Sequence, residues 1–77
     1  MKKFNDGDRV EIDGLGKFRA EEWGLTEDDF EELLEHNHQL ATIDCEACDD
    51  YYDIIFDDGY LIEAISDYHI TLYIAKI

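Results

Sequence analysis

Tyr51-Tyr52-Asp53-Ile54-Ile55-Phe56-Asp57-Asp58-Gly59-Tyr60-Leu61-Ile62-Glu63-Ala64-Ile65 is the stretch on which the fold turns. Tyr51 to Phe56 is mostly aromatic and β-branched, the residue types that fit a pleated, half-buried surface. Asp57-Asp58-Gly59 tolerates the positive φ of a tight turn, so the run predicts a β-hairpin in which Tyr60 to Ile65 returns beside Tyr51 to Phe56. Before it, Ala41, Ile43, Cys45 and Ala47 alternate with Thr42, Asp44, Glu46 and Cys48, the period of a half-buried strand. Cys45 is then expected in the core and Cys48 at the strand end. After the hairpin, Ser66-Asp67-Tyr68 interrupts the pattern, and His69 to Ile77 predicts a closing strand with Ile70, Leu72 and Ile74 on one face.

Nearer the start, Arg9-Val10-Glu11-Ile12 predicts a first strand between two clusters of turn-forming residues, Asn5-Asp6-Gly7-Asp8 and Asp13-Gly14-Leu15-Gly16. Thr26 announces a helix, since its hydroxyl can accept from a free N–H of the first turn. Phe30, Leu33 and Leu34 recur at helical spacing, with Trp23 or Leu25 able to staple the start, and the helix is expected from about Glu27 to His36. The order is strand, loop with helix, three strands joined by short turns, an interruption and a last strand. Gly7 to Ile12, Ala41-Thr42-Ile43 and Tyr52 to Gly59 resemble the first strands and distal turn of small SH3-like, Tudor-like or KOW-like barrels. That resemblance implies a mostly β, five-stranded barrel with a helix inserted between strands 1 and 2. An α+β antiparallel sheet with one packed helix is the alternative.

A chain of 77 residues holds one domain, here spanning 1–77, because it buries only about 60% of the surface its unfolded form exposes. No run is apolar enough for a signal peptide or a membrane span, so a cytoplasmic protein is expected, with reduced thiols at Cys45 and Cys48. The net charge of −15 far exceeds the magnitude of roughly 2 to 8 that solubility asks of a small domain. Nucleic acid and anionic membrane are excluded as direct partners by repulsion. The same repulsion favours a monomer.

From Ala20 to Ala75 there is no Lys or Arg, so the net charge belongs almost entirely to that stretch. Asp28, Glu31, Glu32 and Glu35 fall at i, i+3, i+4 and i+7, one exposed ridge of the predicted helix. Like charges at these spacings cost about 0.2 to 0.5 kcal/mol per pair. A second set comprises Asp44, Glu46, Asp49, Asp50, Asp53, Asp57 and Asp58: Asp44 and Glu46 are expected on one outward face with Asp53 across from them, the others in turns. Carboxylates recur about every 5.4 Å along a helix, comparable with phosphates along a strand. In charge and size the chain resembles the small DNA-mimic inhibitors that bacteriophages use against host nucleic-acid-binding proteins. That resemblance implies a non-enzymatic protein acting in the host cytoplasm if phage-encoded. Its partner would be a basic host protein, such as a nucleoid protein, restriction enzyme, polymerase or CRISPR effector, bound through these acids and Tyr51. The alternative is an SH3-like adaptor that holds a basic peptide or subunit through Trp23, Tyr51, Tyr52, Tyr60 and Tyr68.

Other chemistries fit less well, and no cofactor or metal is expected. Cys45 and Cys48 have zinc-like spacing, with His36, His38 and His69 in reserve, but a zinc knuckle needs a turn where a strand is predicted. Asp57-Asp58-Gly59 is too short for a calcium-binding EF-hand loop. Catalysis by a carboxylic acid needs a pocket that raises its pKa, for which so small a barrel has little room.

Overall fold

The structure is a computed structural model and describes residues 3–73; the part of the closing strand expected beyond Tyr73 lies outside them. Along the chain run β1 (Arg9–Ile12), α1 (Ala20–Trp23), α2 (Glu27–Glu35), β2 (Leu40–Cys48), β3 (Tyr51–Phe56), β4 (Leu61–Ser66) and β5 (Ile70–Leu72). The five strands form one open antiparallel sheet in the order β4-β3-β2-β1-β5. The mostly β character, the five strands and the helical insertion after the first strand are as expected. The single expected helix is corrected to two. No helix among the described residues is long and apolar enough to cross a membrane.

Side chains of β1 to β5 build the core, with Val10, Ile12, Ala41, Tyr52, Ile54 and Ile65 wholly enclosed. The insertion contributes Leu15 and Leu33, and Phe30, Leu34, Trp23 and Leu25 pack against this cluster from its edge. Tyr52 sits at the centre: the Phe4 ring meets it edge-on at 5.3 Å, and its hydroxyl accepts the Lys3 backbone N–H at 2.9 Å.

Thr26 caps α2 as expected, its Oγ1 accepting the Asp29 N–H at 3.2 Å. The helix ends at Glu35 with His36 as its C-cap. Before it, α1 is bounded by a glutamate side-chain cap and a glycine. Glu22 accepts the Arg19 N–H at 2.7 Å, while Gly24, at φ 71°, lets the Gly24 and Leu25 N–H groups reach the Glu21 and Ala20 carbonyls. A helix of four residues is too short to show a period, which is why pattern alone passes over it.

Three strands depart from simple alternation. In β2 the register against β3 slips after Ile43 and again after Glu46, leaving Asp44 and Ala47 as extra residues. Cys45 therefore stands opposite Asp53 instead of entering the core, and Ala47 is exposed, which corrects the expected inward row. In β5, Ile70 is buried but Leu72 is 48% exposed, so the expected apolar face stops at its first residue.

A further bulge lies in β4. Ile54 pairs with Ile62 and Tyr52 with Ile65, so Asp53 faces both Glu63 and Ala64. Residues three apart on a regular strand point to opposite faces; the extra residue turns both Ile62 and Ile65 inward. Ala64 bears the strain, with φ at 56° and its N–H donated to Asp53 Oδ1 at 2.8 Å. Ala64→Gly is expected to stabilise the fold by about 0.5 kcal/mol in urea unfolding, because the relief of a left-handed alanine exceeds the added freedom of the unfolded chain. A loss of stability would mean that the methyl group matters more than the backbone strain.

Candidate functional site

The C-cap of α2 is tied to the turn between β3 and β4. The His36 side chain is 5% exposed as a residue and stacks on Tyr60 with ring centroids 4.1 Å apart and planes 11° from parallel. Its Nδ1 is 2.8 Å from the Glu32 carbonyl oxygen and its Nε2 2.8 Å from Asp58 Oδ2. Both neighbours only accept, so both ring nitrogens donate and the imidazole is held as a cation. Burial of the ring opposes that charge, but its hydrogen bonds to Asp58 and to the Glu32 carbonyl, with the charge of Asp58, outweigh it and raise the pKa above the ordinary histidine value. The cation also sits at the negative end of α2, where positive charge is favoured.

Asp28, Glu31, Glu32 and Glu35 are all exposed, and none of the four carboxylates pairs with a cation among the described residues. Asp57 and Asp58, beside the end of α2, are different. Asp57 accepts two hydrogen bonds from the Arg9 guanidinium, at 2.7 and 3.0 Å, which hold its pKa below the usual carboxylate range. Asp58 is held low by the Tyr60 N–H and then by His36.

The remaining acids lie from the middle of β3, where Asp53 is its third residue, to its other end and beyond. Asp49 and Asp50 form the β2–β3 turn, and Asp44 and Glu46 precede it. The bulge replaces the expected Asp44–Asp53 and Glu46–Asp53 facing with a Cys45–Asp53 pair. The site residues thus divide into two patches, with the helix ridge, Asp57 and Asp58 in one and Asp44, Glu46, Asp49, Asp50 and Asp53 in the other. In the second, ligand atoms of Asp44, Cys45 and Asp53 lie within 4.8 Å of one another. The thiol donates to Asp53 at 3.4 Å, which together with partial burial raises its pKa, and a metal-binding sulfur needs the opposite shift. This trio also uses neither Cys48 nor any histidine.

The aromatic residues are distributed unevenly. Tyr52 is wholly buried and Tyr60 is engaged with His36, so neither offers a free ring to a partner. Tyr51 and Tyr68 are exposed. Between α1 and β4 opens a depression of about 380 Å³ walled by Phe18, Trp23, Tyr51 and His69, with Glu22 and Glu63 among its lining residues. Phe18 meets Trp23 and His69 edge-on at 6.3 and 5.4 Å, and Trp23 lies 5.2 Å from His69. Of these residues, the sequence singled out Trp23 and Tyr51 for a partner and His69 only as a reserve zinc ligand; Phe18, Glu22 and Glu63 converge only through the fold. The signal available beforehand was Phe18 beside the Trp23-Gly24 helix stop.

No protein-family model matches the chain, and neither a curated protein nor a solved structure matches it.

Proposed function

We infer that this chain is a non-enzymatic inhibitor or modulator that binds a basic, nucleic-acid-binding host protein and occupies the site its nucleic acid would take. The observation behind this is the α2 ridge: Asp28, Glu31, Glu32 and Glu35 are exposed and form no salt bridge among the described residues, in a chain of net charge −15. Retaining mutually repelling carboxylates that a few lysines would relieve makes sense when the field itself is used. A groove that binds phosphates chiefly by charge accepts such a lattice in their place. The phage-type origin and the partner classes named from the sequence belong to this same proposal. The strand order, with β5 beside β1, favours a sheet rolled into a small SH3-like barrel, from which the helical insertion projects.

Glu31→Gln, Glu32→Gln and Glu35→Gln together are expected to abolish competition with duplex DNA for a basic DNA-binding protein and to stabilise the fold by roughly 1 kcal/mol. The parent should lose affinity steeply between low and high salt. A fluorescence competition assay with labelled duplex measures both, using nucleoid proteins as the first panel. Equal competition by the triple variant would remove the ridge from the site. Binding indifferent to salt would remove the mimicry.

A further inference from the structure

We propose that the depression between α1 and β4 is a receptor for one arginine side chain of the protein partner. This deepens the basic-partner reading and rests on it for the source of that arginine. Three features of the lining select the occupant. Its walls are aromatic, and a guanidinium stacks on the faces of Trp, Tyr and Phe. Its two charged residues are both acids, Glu22 and Glu63, and no Lys or Arg lines it. Of the nearby cations, Lys17 is already engaged by the Tyr68 hydroxyl at 3.0 Å, and Arg19, whose backbone N–H is bonded to Glu22, is not among the lining residues.

The third feature is His69, which is 4% exposed and lines the depression. Its Nδ1 lies 3.0 Å from the Asp13 carbonyl oxygen, an acceptor, so Nδ1 carries the hydrogen and the neutral ring presents a lone pair at Nε2. Nε2 has no hydrogen-bond partner among the described residues. Glu22 uses one oxygen on the Arg19 N–H and keeps the other. The lining therefore offers acceptors and ring faces and holds no Lys or Arg, the complement of a planar group with five donors and a positive charge. An added β-strand is a poorer occupant: β4 is an edge strand, but its ladder is broken at Glu63 and Ala64, where the backbone turns left-handed. A side chain entering from above needs no continuous ladder.

The probe is the peptide acetyl-Gly-Arg-Gly-amide, with the citrulline peptide as its neutral isostere. Trp23 is the chain's single tryptophan and lines the depression, so its fluorescence and indole N–H resonance respond to an occupant there. The arginine peptide is expected to shift both signals with half-saturation on the order of 1 mM, and the citrulline peptide to need at least about tenfold more. Glu22→Gln with Glu63→Gln should weaken arginine binding about fivefold, as expected for two partly exposed ion pairs. Glutamine at position 22 keeps the oxygen that caps α1, so the variant retains the fold, as its circular dichroism should confirm. The Glu31, Glu32, Glu35 triple glutamine variant should bind the peptide within about twofold of the parent. The proposal is overturned by an unmoved Trp23 signal, by equal binding of citrulline, or by a ridge variant that weakens the peptide as much as the double variant does. DNA competition is read separately: peptide binding without competition would sink the mimicry and leave the receptor, and competition without peptide binding would do the reverse.

Discussion

Tyr52→Ala is expected to remove most of the stability of this domain. The side chain is wholly enclosed, the Phe4 ring abuts it at 5.3 Å, and its hydroxyl receives the Lys3 N–H. Truncating a buried aromatic to alanine costs about 3 to 5 kcal/mol through lost transfer energy and the cavity left behind. A chain of 77 residues has about 4 to 12 kcal/mol in total, and self-repulsion at −15 draws this one toward the lower figure. The variant is thus placed near its unfolding midpoint in water. Tyr52→Phe keeps the ring and loses only the hydroxyl contact, for a cost of about 1 kcal/mol. Urea unfolding followed by circular dichroism distinguishes the two. An alanine variant within 1 kcal/mol of the parent, on the order of the hydroxyl contact alone, would show that the core is centred elsewhere.

The second large effect concerns His36. Its pKa is raised in the folded chain, so the folded state binds a proton more tightly than the unfolded one. The stability it contributes is complete below the unfolded value of 6.5 and is lost as pH rises through the folded value. The groups that set this are Glu32 on its own helix and, from the β3–β4 turn, Asp58 and Tyr60; the adjacent Asp57 is occupied by Arg9. Asp57 and Asp58, with lowered values, contribute in the opposite sense: their share is present above 3.8 and lost as pH falls through their folded values. Between these limits the α2 anchor is at its strongest.

His36→Gln is expected to cost about 2 kcal/mol at pH 6, the range for hydrogen bonds that involve a charged group. That difference should shrink as the pH is raised, since the parent loses its proton while glutamine has none to lose. Urea midpoints of both proteins from pH 5.5 to 8.5, together with the His36 ring titration by NMR, provide the check. Parallel pH profiles would mean that the imidazolium does not anchor the helix.

The hairpin at Asp57-Asp58-Gly59, the Thr26 cap and the apolar stripe of α2 were all legible because each rests on neighbours in the chain. The Arg9-to-Ile12 strand and the insertion after it followed from turn chemistry in the same way. What escaped was set by pairing across strands. Nothing in Ala41 to Cys48 announces that Asp44 and Ala47 stand out of register, since a bulge depends on the partner strand as much as on its own residues. Cys45 was misplaced for that reason. The division of the acids into two patches follows from the length of β3 and from the docking of α2, neither of which a list of charged positions contains. The arginine receptor was illegible for the same reason, being assembled from residues as far apart as Phe18 and His69.

The irregularity at Glu63 and Ala64 also governs how the molecule behaves among copies of itself. Fibrils grow when flat, regular borders of identical strands stack in register. Here one border is creased in its middle by a left-handed alanine, and a glutamate projects beside the crease. A second molecule approaching that border finds no straight row of amides to extend, so crowding should yield a concentrated solution instead of a growing stack.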